Sequence, residues 1–161
     1  MSKDVKKVFC QRLSKFRGPD SYCGNIANCV SVNPPMIGVL KSHDHHVLIQ
    51  NLLHVALRGL LQSGPRAAVT RVCNYFNRFC QRTIDPENLI SLESEIVETM
   101  CQLERYFPPS LFDITFHLPI RLAREARLRG PVHFRWMYPF ERYEFIYIFT
   151  LCGLTKVNFK Q

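Results

Sequence analysis

The sequence lacks most of the short motifs that identify a catalytic or cofactor site. Its seven glycines form neither GxGxxG nor GxxxxGK[ST], which excludes the usual glycine-rich loops that cradle phosphate. No two of its seven cysteines form a CxxC pair, and their odd number and irregular spacing do not predict a disulfide framework. No cysteine and histidine stand at a spacing that indicates nucleophilic catalysis. We therefore expect reduced thiols and no small-molecule substrate.

Long apolar runs are also missing. The chain begins with charged residues and no apolar segment follows them, which argues against a signal peptide. Residues 145–154 are apolar but much shorter than a membrane span. Together with reduced thiols, these absences predict a protein of the cytosol or nucleus that is neither secreted nor held in a membrane.

Positive charge is abundant and unevenly distributed. The net charge is +8, a balance typical of proteins that bind nucleic acid or another anionic surface. Basic residues dominate positions 1–17 and 121–135, whereas positions 85–104 carry six acidic residues and no Lys or Arg. The acidic segment could pair with the arginines inside the protein, so the alternative is that no basic face is available for DNA.

Hydrophobic periodicity predicts a mainly α fold, a single-domain helical array of about five helices with short extended segments. The predicted helices span about residues 3–16, 42–61, 63–80, 85–107 and 111–129. The predicted N-caps are Ser42 or Asp44, Ser63 and Asp85. Pro119 lies inside the last predicted helix, so we expect a kink near His117. Residues 145–149 have the β-branched and aromatic composition of a strand.

A histidine cluster is the candidate metal site. His43 and His46 are three residues apart and share one face of the predicted second helix. Two ligands do not complete a site, and His117 or a cysteine such as Cys101 would have to complete it. A divalent metal is the only cofactor that the sequence suggests. In the alternative, Asp44 caps the helix and the histidines are solvated or pack locally.

Arginines and one glutamate provide the candidate residues for nucleic-acid chemistry. The candidate DNA contacts are Arg121, Arg124, Arg127, Arg135 and Arg142. The first three are spaced by three residues and follow one helix face, and the last two lie among aromatic side chains that could stack on bases. Glu141 is the candidate catalytic carboxylate, which could bind a metal in a nucleic-acid-cutting site. The alternative is that Glu141 forms a structural ion pair with Arg135 or Arg142.

Three stretches carry a resemblance to a known family. They are GVLKSHDHH at residues 38–46, QLERYFPP at residues 102–109 and RWMYPFER at residues 135–142. Further landmarks in the same order are Asp85-Pro86-Glu87 and Gly130-Pro131-Val132. In these features the chain resembles the plant transposase-associated domain of unknown function 4218 (DUF4218). That domain follows the catalytic region in transposases of CACTA (En/Spm) transposable elements.

The resemblance covers about residues 6–143. It divides the chain into a transposase-associated helical domain, residues 1–143, and a divergent apolar tail, residues 144–161. It implies a truncated transposase fragment of the nucleus that contacts DNA or a full-length transposase. The upstream catalytic carboxylates are missing from this sequence, so we expect no independent catalysis, and Glu141 is the position to which a last catalytic acid would be assigned. The alternative is a domesticated helical module that binds protein through its acidic fourth helix.

Overall fold

The computed structural model describes residues 2–17, 26–109, 112 and 117–130, and most of these residues are helical. The helices are α1 (Lys3–Ser14), α2 (Ser42–Val47), α3 (Leu53–Ala56), α4 (Ser63–Phe79), α5 (Pro86–Tyr106) and α6 (Leu118–Arg129). A π-helical segment, Leu48–Leu52, joins α2 to α3 without a break. The predicted mainly α, single-domain fold is therefore confirmed, and the described residues form five helical segments when α2 and α3 are taken as one. The predicted strand at residues 145–149 lies outside the described residues.

The clearest helix boundaries are those where a cap and a proline agree. Asp85 is the N-cap of α5, and its carboxylate accepts a hydrogen bond of 3.2 Å from the backbone N–H of Glu87. Pro86 occupies the first helical position, where the missing N–H costs no helical hydrogen bond. Glu87 adds negative charge at the positive end of the helix dipole. Sequence analysis predicted this start correctly.

Two other predicted N-caps are wrong by a few residues. Ser63 is the first helical residue of α4, and Gln62 is its N-cap. Asp44 lies in the first turn of α2, and Lys41 is the N-cap. Asp44 still satisfies a backbone donor, because its Oδ2 accepts a hydrogen bond of 3.2 Å from the Lys41 N–H. The acidic residue therefore acts from inside the helix, as the second half of a capping box does.

The second predicted helix ends earlier than its apolar pattern suggests. It ends at Ala56, and the backbone then turns through residues 57–60 instead of continuing to residue 61. Gly59 adopts a positive φ of 74° in this turn, a conformation that L side chains rarely take. Leu57 is nevertheless completely buried. The apolar residues after Ala56 therefore contribute to the core from a turn.

A short β-hairpin lies between α1 and α2, in a region where the sequence predicts no helix. Strands β1 (Val30–Val32) and β2 (Pro35–Ile37) pair antiparallel, with Val30 opposite Ile37. A 3₁₀ turn, Ile26–Cys29, leads into the hairpin. α1 packs on both strands and on α3, and its Phe9 and Leu13 are buried there. The hairpin thus covers the core side of the basic first helix.

One continuous apolar core connects the elements. α4 packs against the π-helical segment on one side and α5 on the other, and α5 packs against α6. Burial of a large apolar side chain contributes roughly 1.5–3 kcal/mol to stability, so this core dominates the folding energy. Cys10 is among its buried members, and burial raises the pKa of its thiol. No helix in the described part of the chain has the length and apolar character needed to cross a membrane.

Candidate nucleic-acid interface

Helix α6 carries three of the five predicted DNA contacts. It begins at Leu118 with His117 as N-cap, and Pro119 lies in its first turn. A proline in the first turn is compatible with the start of a helix, so Pro119 fits the position where α6 begins. The kink predicted near His117 stays a prediction, because residues 113–116 lie outside the described residues. α6 ends before Gly130, which has a φ of 86°.

The buried face of α6 determines which of its residues reach solvent. Pro119, Ala123 and Ala126 are buried, and their spacing of four and three residues places them on one face. The short alanine side chains allow the helix to lie close to α5. The hydroxyl of Tyr75 in α4 donates a buried hydrogen bond of 2.7 Å to the carbonyl of Pro119. This bond ties the start of α6 to the protein core.

The three predicted DNA-contacting arginines of α6 do not have equivalent surroundings. Arg121 and Arg124 are exposed, and neither forms an ion pair with any described residue. Arg127 is also exposed, but its Nε lies 3.6 Å from the Glu93 carboxylate of α5. Arg129 makes an i,i+4 pair of 3.4 Å with Glu125. Arg121 and Arg124 are therefore the two guanidiniums of α6 whose charge is available to an external anion.

Carboxylates of α5 neutralise arginines on both neighbouring helices. Besides Arg127 of α6, α5 pairs with Arg71 and Arg78 of α4: Arg71 Nη1 lies 3.6 Å from Glu98, and Arg78 Nη1 lies 2.7 Å from Glu95. All these groups are at least partly exposed, so each pair contributes little to stability. Their effect on recognition is larger, because each pair removes one positive charge from the surface that a polyanion would meet.

Glu95 is the most strongly constrained of these carboxylates. Its Oε1 accepts a hydrogen bond of 2.8 Å from the Ser91 hydroxyl, and its Oε2 accepts one from Arg78. The bond from Ser91, followed by the bond from Arg78, holds the pKa of Glu95 below its ordinary value. Arg78 and Glu95 help to line a pocket of about 370 Å³ between α4 and α5.

A second basic surface comes from α1. Lys3, Lys7 and Lys15 are exposed, and Asp4 is the only acidic residue of the helix. Arg12 has a structural role that sequence analysis missed. Its Nη1 donates to the carbonyls of Ala56 at 2.8 Å and Arg58 at 2.6 Å, which satisfies acceptors after the end of α3. No sequence signal separates Arg12 from its basic neighbours, because its partners are more than forty residues away.

The predicted metal ligands are not brought together. His43 is exposed and His46 is buried in α2, whereas His117 occupies the N-cap position of α6. Within residues 2–17, 26–109, 112 and 117–130, no group of three or more His, Cys, Asp or Glu side chains is placed to hold a metal ion. The metal prediction therefore receives no support from this part of the protein. Glu141, Arg135 and Arg142 lie outside the described residues.

Comparison with known proteins finds a family-model match over part of the chain. Residues 79–153 match the family model of the Domain of unknown function (DUF4218). No curated protein and no solved structure matches the chain. The landmarks before residue 79, including GVLKSHDHH, lie outside the matched stretch, which also continues past the predicted domain boundary at residue 143. The chain thus carries the DUF4218 pattern over the part that contains α5, α6 and the candidate arginines.

Proposed function

We propose that this chain is a non-catalytic, DNA-contacting domain descended from a CACTA-type plant transposase. The observation that carries the proposal is the outward face of α6, where Arg121 and Arg124 are exposed and unpaired among the described residues. Three residues of helix rise about 4.5 Å, so two long guanidinium side chains one turn apart can reach neighbouring phosphates of one strand. The net charge of +8 favours the same class of partner.

The contacts of this surface are with the phosphate backbone. Guanidinium groups on an exposed helix face bind phosphate oxygens well, and such contacts orient a protein on DNA without reading its sequence. Sequence choice would then come from a full-length transposase partner in the nucleus. The DUF4218 match over residues 79–153 supports the transposase origin, because the family resemblance stated above associates that domain with CACTA elements.

The structure favours DNA contact over a protein interaction through acidic α5. That alternative needs carboxylates that are available to a partner, but three of the five in α5, Glu93, Glu95 and Glu98, are already paired with arginines of the same chain. A partner would have to break these pairs before it could use the charges. Only Glu87 and Glu104, which lie towards opposite ends of the helix, are exposed without an ion pair among the described residues. An external anion can bind Arg121 and Arg124 without breaking an ion pair among the described residues.

The test measures binding of the purified chain to a short DNA duplex over a range of salt concentrations. Replacement of two phosphate contacts, in Arg121→Gln with Arg124→Gln, should reduce the slope of log affinity against log salt by about 1.8. Between 50 and 200 mM salt the natural protein should therefore lose about tenfold more affinity than the variant. Arg127→Gln should have a smaller effect, because Glu93 holds that charge.

A matched control separates a local interface from total charge. Arg82→Gln with Arg105→Gln removes two exposed arginines that form no ion pair among the described residues, and it lowers the net charge by the same amount. We expect this control to retain nearly all of the natural affinity. Equal losses in both double variants would refute α6 as the interface, and an absence of salt-dependent binding would refute the DNA role itself.

A further inference from the structure

An apolar groove lies between the C-terminal half of α1 and the helix α3, whereas the proposed DNA contacts lie on α6. Its volume is about 360 Å³. Its apolar lining consists of Leu13, Phe16, Leu52, Val55 and Ala56. α1 packs on the hairpin and α3, whereas α6 packs on α5, so the groove and the α6 arginines belong to different parts of the helical array. The lining residues all precede the stretch that matches DUF4218, and the proposed DNA contact does not involve them.

Three of the five apolar lining residues reach solvent, whereas Leu13 and Ala56 are buried beneath them. Val55 is 57% exposed even though it belongs to a helix that packs on α1 and α4. Phe16 and Leu52 are only half-buried, and both pack against the edge of the main core. The apolar surface is thus continuous with the core and still open on its outer side, which is the arrangement of a docking groove.

The rim of the groove is entirely cationic. Arg12, Lys15 and Arg58 border the apolar lining, and no described carboxylate contributes to it. Two hydrogen bonds from Nη1 of Arg12 to the backbone of residues 56 and 58 hold its guanidinium at this edge. Because folding already orders the Arg12 side chain, a carboxylate that binds there causes little further loss of side-chain conformational entropy.

These features select the chemistry of the occupant. A polyanion such as DNA would gain from the rim but would place its charged backbone over an apolar floor, which costs desolvation energy. A second copy of this chain would bring a further net charge of +8, and the two copies would repel each other. An amphipathic helix with an apolar face and acidic flanks satisfies both the floor and the rim, in the helix-in-groove mode.

We propose that the groove between α1 and α3 docks an acidic amphipathic helix of a partner protein. Apolar side chains of the partner, spaced at three and four residues, enter beside Val55 and Phe16. Carboxylates on either side of that apolar face bind Arg12, Lys15 and Arg58. The chain then connects two partners, DNA through α6 and an acidic protein through α1 and α3.

The test uses three synthetic peptides of about 16 residues, a length at which isolated helices become marginally stable. The first has leucines at i, i+4 and i+7 with glutamates on both sides. The second replaces each glutamate with lysine, and the third scrambles the first so that no apolar face forms. We expect the first peptide to bind the full chain at least about tenfold more tightly than either of the others. Equal affinities for the three peptides, or no binding of the first, would overturn the proposal.

Two pairs of variants locate the binding site. Val55→Glu places a carboxylate in the groove, and Val39→Glu makes the same change at a valine that is 95% exposed elsewhere. Lys15→Gln removes a rim charge at the C-cap of α1, and Lys7→Gln removes an exposed charge from α1 outside the groove lining. Val55→Glu and Lys15→Gln should each weaken binding of the acidic peptide several-fold or more, whereas their controls should not. Equal effects within both pairs would show that the peptide binds elsewhere and would refute the groove.

The two proposals fail independently. The variant Arg121→Gln with Arg124→Gln should bind the acidic peptide as the natural chain does, even though its DNA affinity is reduced. Short duplex DNA should not displace the peptide at the concentrations that saturate α6. Displacement would assign the groove to nucleic acid and overturn the protein-docking proposal. Circular dichroism of each variant shows whether it retains the helical fold, and Lys15→Gln preserves the test if Val55→Glu does not fold.

Discussion

Loss of the Tyr75 hydroxyl should weaken the attachment of α6 to the rest of the protein. Tyr75 is 3% exposed and donates a 2.7 Å hydrogen bond to the Pro119 carbonyl. Tyr75→Phe removes that bond and keeps the ring. The ring continues to stack on Phe79 at 5.3 Å and to meet the edge of Phe76 at 5.2 Å. The substitution therefore isolates the hydrogen bond from the aromatic packing.

The structure sets the expected magnitude. A typical buried hydrogen bond contributes about 0.5–1.5 kcal/mol net, and an acceptor left without any partner costs more. Pro119 lies in the first turn of α6, so its carbonyl also accepts the helical N–H four residues later and is not left without a partner. We therefore expect Tyr75→Phe to reduce the free energy of unfolding by about 1 kcal/mol. For a chain of this length the melting temperature should fall by about 2–4 °C.

Urea denaturation followed by circular dichroism measures this change. The midpoint should decrease with an unchanged m-value, because the variant exposes the same surface when it unfolds. Tyr106→Phe is the matched control: Tyr106 is half-exposed and forms no hydrogen bond among the described residues, so its loss should stay within about 0.5 kcal/mol. An equal loss in the two variants would refute the role of the Tyr75–Pro119 bond. A loss above about 3 kcal/mol would show that the hydroxyl supports more than one bond.

Two further predictions concern α5 and the start of α4. The pKa of Glu95 is lowered in the folded chain, so the ionised carboxylate stabilises the fold above its ordinary pKa of 4.5, and this contribution is lost as the pH falls through the folded pKa. The stability difference between the natural chain and Glu95→Gln, measured by urea titration, should therefore shrink on acidification. A difference that stays constant with pH would contradict the lowered pKa. A Cβ at Gly64 would lie 2.6 Å from the Tyr106 ring. Gly64→Ala should therefore stabilise α4 by up to about 1 kcal/mol in a Tyr106→Ala background, but by less in the natural chain. Equal gains in stability in the two backgrounds would contradict that contact.

The helices that could be predicted from the sequence are those where independent local signals agree. In α5 the apolar stripe, the Asp85 cap and Pro86 all indicate one start. In α4 the stripe from Val69 to Phe79 indicates one buried face, and those residues are buried. Local propensity and tertiary packing favour the same structure in both helices, so a prediction from either one succeeds.

Elsewhere the outcome depends on contacts that are distant in sequence. A proline such as Pro119 is compatible with a kink or with a first turn, and the choice depends on packing around it, including the bond from Tyr75 in α4. The hairpin strands have only three residues each, too few for a period of two to be recognised. Their pairing depends on α1, whose buried Phe9 covers them. Neither feature has a local signal strong enough to predict it.

The number of arginines on α6 that are available for phosphate contacts also depends on residues distant in sequence. A spacing of three residues advances about 300° around a helix, so each step drifts about 60° from one face. From Arg121 to Arg127 the drift reaches about 120°, enough to carry Arg127 from the outer face of α6 to the flank where it meets Glu93. Sequence spacing alone counts three phosphate contacts on α6 and a salt slope of about −2.7, whereas the ion pairs leave two contacts and a slope near −1.8. Measurement of α6's share of the salt slope therefore decides whether the acidic helix masks part of the basic surface.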